Sequence, residues 1–287
     1  MKLKRIVGLA VLAGVGLGCA HASHSGTSDL DDEETTSELR AHHRHHHRGG
    51  VNQFIAMSLD TLGEDDAQRP AIEKIHAELD ACMVPTRDVA KQLTLTYADG
   101  IATGAIENAT LEGVIVELNS TSAKAYECST DALNQLHGLL TPAEREVVAD
   151  KVQAHWEIWL QVNADAEKGG QEKGGRLAAL AEDVDLSAEQ LDQMSKALTV
   201  AFGRAHTWES KKAQAHVLAF AAAFVFEKFD ARTVAPDENG RLSAHGARRM
   251  ALFYETITPF LKAEQRSELA EQLREHANHP HIITSAN

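Results

Sequence analysis

The chain has 287 residues, and 42 acidic against 28 basic side chains give it a formal net charge of −14 at pH 7. An acidic excess of this size argues against nucleic acid as a partner, because a phosphate backbone selects basic surfaces. The sequence also contains no phosphate-binding loop, no nucleophile motif and no zinc-protease helix, so we do not expect an enzyme.

Residues 1–22 are predicted to be an export signal. Basic residues precede an uncharged apolar run over 6–17, which is too short to span a bilayer. Two cleavage sites fit the sequence: one before Cys19, which would then carry a lipid and tether the protein to the outer membrane, and one after Ala22. Either site predicts a periplasmic protein, and only cleavage before Cys19 would attach it to a membrane, through the lipid.

Residues 23–50 are rich in Ser, Thr, His and acidic residues, and we expect a disordered tether because they cannot bury enough apolar surface. Five neighbouring histidines in this tether form a candidate metal site: His42, His43, His45, His46 and His47. Neutral imidazoles on a flexible chain bind Zn²⁺, Ni²⁺ or Cu²⁺, although no cofactor is required. A solubilising spacer that binds metal only incidentally is the alternative. A thinner candidate cluster near the C-terminus consists of His276, His279 and His281.

The rest of the chain is predicted to be all-α. Apolar residues at helical spacing form four stripes in residues 51–165 and four more in residues 176–278. A glycine-rich linker over 166–175 separates these two segments, and residues 279–287 form a tail. Pro85 and Gly104 lie between stripes of the first segment, so each is expected to separate two helices.

Cys82 and Cys128 remain once Cys19 is set aside. An exported chain with two cysteines is a candidate for one disulfide, and two free buried thiols are the alternative. With Pro85 taken as a helix break, Cys128 lies in the next long helix but one after Cys82.

The run over 218–226 is apolar nearly all round, which predicts a buried helix, with an exposed client-facing patch as the alternative. His155 and His216 lie on or beside apolar stripes, and we expect core histidines there rather than metal ligands.

A short phrase recurs before three of the predicted helices. Its copies are Leu140-Thr141-Pro142-Ala143-Glu144, Leu186-Ser187-Ala188-Glu189-Gln190 and Leu261-Lys262-Ala263-Glu264-Gln265, with a blurred fourth copy over 62–68. In the first two copies, the hydroxyl and the Glu or Gln three residues later predict a capping box. The third copy has Lys262 in place of the hydroxyl, so its cap is predicted to be Thr258, followed by Pro259.

As a set, these phrases resemble the L-T-x-x-Q signature of the Spy/CpxP family of periplasmic, ATP-independent stress chaperones, which has zinc-responsive and heavy-metal-sensing relatives. The residues that carry the resemblance are Leu140, Thr141, Glu144, Leu186, Ser187, Gln190, Leu261 and Gln265. In that family two four-helix chains wrap into an antiparallel cradle. The resemblance therefore implies that residues 51–165 and 176–278 are tandem units that form an intramolecular pseudo-dimer from a monomeric chain.

The family function implied by the resemblance is that of a holdase, which binds unfolded or misfolded envelope proteins during envelope stress. Two alternatives stay open. The protein could bind or sense Zn, Ni or Cu through the tether histidines, or it could be a structural helical lipoprotein that contacts a sensor kinase or an anti-sigma factor.

Overall fold

The computed structural model describes residues 51–59, 67–167, 176–204, 208–234 and 240–278. Within these ranges every regular element is helical, which confirms the all-α prediction. The α-helices are α1 Val51–Leu59, α2 Arg69–Thr103, α3 Asn108–Leu139, α4 Pro142–Glu167, α5 Arg176–Asp183, α6 Ala188–Arg204, α7 Trp208–Val225, α8 Arg241–Ile257 and α9 Ala263–Asn278, with 3-10 turns at Ala231–Thr233 and Thr258–Phe260. The predicted signal, the tether with its histidine cluster, Cys19, His279 and His281 lie outside the described residues.

Helix α2 runs through Pro85 without interruption, so the prediction that this proline separates two helices is wrong. Met83, two residues before it, and Thr86, directly after it, are buried, and packing of this face outweighs the hydrogen bond that proline removes. Cys128 consequently lies in the helix directly after that of Cys82. Gly104 does end α2, because it takes up the left-handed conformation with φ of 85° and donates its N–H to the Ile101 carbonyl.

Two hydrophobic cores share the long helices α2 and α3. The first core joins the C-terminal half of α2 and the N-terminal half of α3 to α5, α6, α8 and α9. The second core joins the other halves of α2 and α3 to α1, α4, α7 and the 3-10 turn at Ala231–Thr233. Both cores therefore contain residues from both sides of the glycine-rich linker.

The helices on the two sides of the linker also exchange contacts reciprocally. Helix α4, the last of the first segment, packs against α7 of the second, and α9, the last of the second, packs against α2 of the first. Helices α3 and α8 contact each other between these two pairs. The two segments interlock, and neither has a core of its own.

The Cys82–Cys128 disulfide joins α2 to α3 close to the place where these helices pass from one core to the other. The two Cα atoms are 5.7 Å apart. In α2 the last residue of the second core is Leu79, and the first residue of the first core is Val89. Met83, which lies between them, is also buried. The covalent bond thus connects the two helices that hold both cores together.

Candidate functional site

The first two copies of the recurring phrase are capping boxes, as predicted. The backbone N–H of Thr141 donates to Glu144 Oε2 at 2.7 Å, and the Glu144 N–H donates to Thr141 Oγ1 at 3.3 Å. The Ser187 N–H donates to Gln190 Oε1 at 3.1 Å, and the Gln190 N–H donates to Ser187 Oγ at 3.2 Å. Each box satisfies amides that the first turn of the helix leaves without partners.

The cap predicted for the third copy is wrong. Thr258 lies at the C-terminal end of α8, and its hydroxyl donates back to the Tyr254 carbonyl at 2.6 Å. Helix α9 begins at Ala263, and the preceding Lys262 donates its N–H to Gln265 Oε1 at 2.9 Å. Gln265 therefore forms the backbone half of a capping box without a hydroxyl at the N-cap position. The Thr258 hydroxyl instead bonds within α8.

The last residues of the second and third copies meet in a buried amide pair. Gln190 Nε2 donates to Gln265 Oε1 at 2.8 Å, and Gln265 Nε2 lies 3.3 Å from Gln190 Oε1. Each amide also donates to the carbonyl directly before the other copy: Gln190 to Phe260 O at 2.8 Å, and Gln265 to Asp185 O at 3.2 Å. Both side chains are only 8% exposed, so the pair locks the start of α6 to the start of α9.

A related contact lies in the first segment, between the Gln68 amide and the carboxylate of Glu144. Gln68 Nε2 donates to the Leu139 carbonyl at 3.4 Å, and this carbonyl directly precedes the first copy of the phrase. Hydrogen bonds from the Thr141 backbone and hydroxyl lower the pKa of Glu144, and the Gln68 side chain adds to this effect. Gln68 is the last residue of the blurred copy over 62–68, which was its only signal in the sequence.

We expect Gln190→Ala to lower the free energy of unfolding by about 2–3 kcal/mol, because the Phe260 carbonyl and the Gln265 amide lose a buried partner. Glu144→Ala changes the corresponding residue of the first copy, which is less buried, and should lower the free energy of unfolding by about 1 kcal/mol. Urea denaturation of both variants measures the difference. Equal losses in the two variants would contradict a special role of the buried pair.

Helix α7 presents an apolar face to solvent as well as to the core. Residues 213–226 contain no Asp, Glu, Lys or Arg. Phe220, Ala221 and Phe224 point into the second core and are at most 1% exposed. On the opposite face Leu218 is 42% exposed, and Phe226, directly after the helix, is 66% exposed. The predicted burial of the 218–226 run thus holds for one face of the helix, and its other face is exposed.

The exposed face forms a continuous stripe at the spacing of successive helical turns. We call it the α7 stripe; its residues are Ala215, Leu218, Ala219, Ala222 and Phe226. Residues three and four apart are neighbours on a helix, so the first four of these side chains adjoin one another, and Phe226 follows directly after the last turn. A solvent-exposed helix face without charge over this length is available for contact with another molecule.

The interior histidines pack against aromatic rings. His155 stacks on Phe54 with ring centroids 6.2 Å apart, and the buried His216 meets Tyr126 at 5.9 Å. His245, which the sequence analysis did not single out, is 6% exposed and lies 5.7 Å from Trp159. Burial, and then the nearby Arg249 and Arg248, lower the pKa of His245 to about 4.

Metal-binding groups are absent from the part of the chain that the structure describes: it has no cluster of three or more His, Cys, Asp or Glu side chains suited to an ion. His276 lies half-buried near the end of α9. Its two predicted neighbours, like the five tether histidines, fall outside the described ranges. Among the described helices, none combines the length and apolar character needed to cross a bilayer.

Comparisons with protein-family models, with curated proteins and with solved structures find no match to this chain. The resemblance to the Spy/CpxP family therefore depends on the motif residues, which lie at the starts of α4, α6 and α9. The functions that the resemblance implies stay predictions.

Proposed function

We propose that the protein is exported and acts as an ATP-independent holdase, which binds unfolded envelope proteins through the α7 stripe. The observation that carries this proposal is the exposure of Leu218 and Phe226 on an uncharged helix face of a protein with a net charge of −14. Unfolded chains expose the apolar segments that such a face would contact.

The size of the α7 stripe favours weak and reversible contacts over a stable complex. The stripe extends over about 17 Å from Ala215 to Phe226, at about 1.5 Å per residue, on a helix about 10 Å across. A specific and stable interface buries about 800 Å² on each partner, which is several times this footprint. A holdase without an ATP cycle needs weak contacts of this kind, since clients must leave without energy input.

The finer architecture implied by the family, two tandem four-helix units in a pseudo-dimer, is part of the proposal; the second unit would consist of α6–α9, preceded by the short α5. Its support is the reciprocal packing of α4 on α7 and of α9 on α2. The Gln190–Gln265 pair in the second segment and the contacts of Gln68 with Leu139 and Glu144 in the first agree with it. Light scattering should give the mass of one chain. A mass near twice that value would favour an ordinary dimer.

Replacing Leu218 and Phe226 together by serine should weaken client binding about tenfold, because two exposed apolar contacts are lost. The probe is fluorescently labelled, carboxymethylated α-lactalbumin, which stays unfolded without a reductant that would open the Cys82–Cys128 bond. Fluorescence anisotropy measures its affinity. Stability should change little, since both side chains are exposed.

The matched control for this double variant replaces Val116 and Val200 by serine. Both valines are more than half exposed, at 56% and 53%, but neither belongs to the α7 stripe. Equal losses in the two variants would show nonspecific apolar binding and contradict the assignment to α7. No binding by the unmodified protein at several-fold molar excess would remove the holdase proposal.

The tether histidines support a second, compatible function in metal binding. Five imidazoles within six residues can supply several ligands to Zn²⁺, Ni²⁺ or Cu²⁺. Titration of the protein with and without residues 42–48 tests this function. An affinity no tighter than that of a free histidine peptide would leave the holdase as the sole proposal.

A further inference from the structure

The C-terminal end of α7 is held by two buried side chains from neighbouring helices. The carbonyl of Phe226 accepts a hydrogen bond from Arg145 Nη1 at 3.2 Å and lies 2.8 Å from His137 Nε2. Arg145 and His137 are only 8% and 7% exposed. Phe226 has the most exposed large apolar side chain of the α7 stripe, and its backbone carbonyl is held by these two buried side chains.

Arg145 donates to the Phe226 carbonyl whichever tautomer His137 adopts. Arg145 Nη1 lies 2.7 Å from His137 Nε2, and a guanidinium can only donate. His137 Nε2 has a single site in the ring plane, so it either accepts from Arg145 or donates to the Phe226 carbonyl; the hydrogen bond from Arg145 to that carbonyl is the same in both tautomers. This hydrogen-bond network makes Arg145 the donor that the free end of α7 requires.

Both anchoring side chains are themselves fixed. Arg145 follows the Thr141–Glu144 capping box, so it projects from the well-formed first turns of α4. His137 lies against the rings of Phe224 and Phe229, with centroids 5.4 and 5.0 Å away. A cation at the C-terminal end of α7 also interacts favourably with the helix dipole.

The contacts of Arg145 and His137 with the Phe226 carbonyl, which we call the anchor, affect where the Phe226 side chain lies. Phe220, Phe224 and Phe229 form a mutually packed aromatic group beside it, with centroids 5.1–5.9 Å apart. Without a fixed backbone, an apolar ring next to such a group would gain free energy by packing onto it. The Phe226 ring instead stays in solvent while its carbonyl points to Arg145.

We propose that Arg145 is a positioning residue, which holds the Phe226 carbonyl and thereby keeps the Phe226 ring exposed as the terminal contact of the α7 stripe. This inference rests on the proposed holdase function, because it assigns the Phe226 ring to client binding. Arg145 itself touches no client; it acts through the backbone of Phe226.

Arg266 provides a matched control at the same position of α9. It follows the third copy of the phrase as Arg145 follows the first, and its Nη1 donates to the Leu261 carbonyl at 2.8 Å. Its guanidinium also lies against Gly104 at the end of α2, within 3.5 Å of the place of a Cβ atom. Arg266 is thus a half-buried arginine near a helix end that carries no stripe.

The experiment compares Arg145→Gln, Arg145→Lys and Arg266→Gln in the full-length protein, each with and without Phe226→Trp. The difference in emission between paired proteins isolates the tryptophan at position 226 from Trp156, Trp159 and Trp208. Anisotropy with carboxymethylated α-lactalbumin gives client affinity, and urea denaturation gives stability.

In Arg145→Gln, the emission from position 226 should shift to the blue with less acrylamide quenching, and client affinity should fall about threefold to tenfold as one aromatic contact is withdrawn. Arg145→Lys should recover part of both, because lysine retains a cationic donor. Arg266→Gln should lose stability without either change.

Unchanged emission and affinity in Arg145→Gln would overturn the inference, as would equal losses of affinity in Arg145→Gln and Arg266→Gln. If Arg145→Gln does not fold, the same test compares Arg145→Lys with Arg266→Lys, again by the emission from position 226 and by client affinity. Absence of client binding by the unmodified protein would instead remove the holdase function, and the emission from position 226 would still test the anchor.

Discussion

Replacing Cys82 and Cys128 together by alanine should lower the free energy of unfolding by about 4 kcal/mol, the largest effect expected from any change described here. The bond closes a loop between residues 46 positions apart, so its loss frees the unfolded chain more than the folded one. The double substitution also removes the covalent link between α2 and α3, the two helices that contribute to both cores. Urea denaturation without reductant measures the difference.

Reduction of the unmodified protein provides an independent form of the same test. Cys128 is exposed and Cys82 half-buried, so a phosphine reductant should open the bond without denaturant and reproduce the lower stability. Cys19→Ala is the control, because this cysteine takes no part in the bond. Two reactive thiols from residues 82 and 128 in the untreated, oxidised protein would contradict the disulfide.

Lowering the pH from 6.5 to 4 should cost the protein about 3 kcal/mol of stability through His245 alone. Burial, with Arg249 and Arg248 nearby, lowers the pKa of this imidazole to about 4 in the folded state, against 6.5 for an unperturbed histidine. Between these two values the unfolded chain binds the extra proton and the folded protein does not. Stability is therefore full above pH 6.5 and declines as the pH falls to 4.

His245→Gln isolates this contribution, since the variant cannot titrate at that position. Denaturation curves of both proteins at pH 7.5, 6, 5 and 4 give the pH dependence, and the difference at pH 7.5 removes the constant cost of the substitution. The variant should lose about 3 kcal/mol less than the unmodified protein over this range. Parallel profiles for the two proteins would show that His245 keeps its ordinary pKa.

Features that depend on neighbours along the chain could be predicted from the sequence. The Thr141–Glu144 and Ser187–Gln190 capping boxes need only four consecutive residues, and both are formed. Gly104 ends α2 because glycine adopts the left-handed conformation at little cost. The helical class itself follows from apolar spacing, which is equally local.

Local rules failed where burial elsewhere in the fold outweighed them. Pro85 would break an isolated helix, yet α2 continues through it because Met83 and Thr86 pack into the protein. Thr258 has the chemistry of a helix cap, but its backbone stays helical and its hydroxyl returns to α8. In both cases the competing energy comes from contacts that the local pattern does not contain.

The candidate site was decided by the tertiary structure. Periodicity predicted that the helix over 218–226 is apolar, but only packing against α4 and the second core determined which face became the α7 stripe. The Gln190–Gln265 pair joins residues 75 positions apart, and Arg145 reaches a carbonyl 81 positions away. The sequence by itself thus determined the helical class, two capping boxes and the end of α2, since these depend on a few adjacent residues. Which surfaces meet and which stay exposed depends on contacts between distant segments, and only the folded chain brings those together.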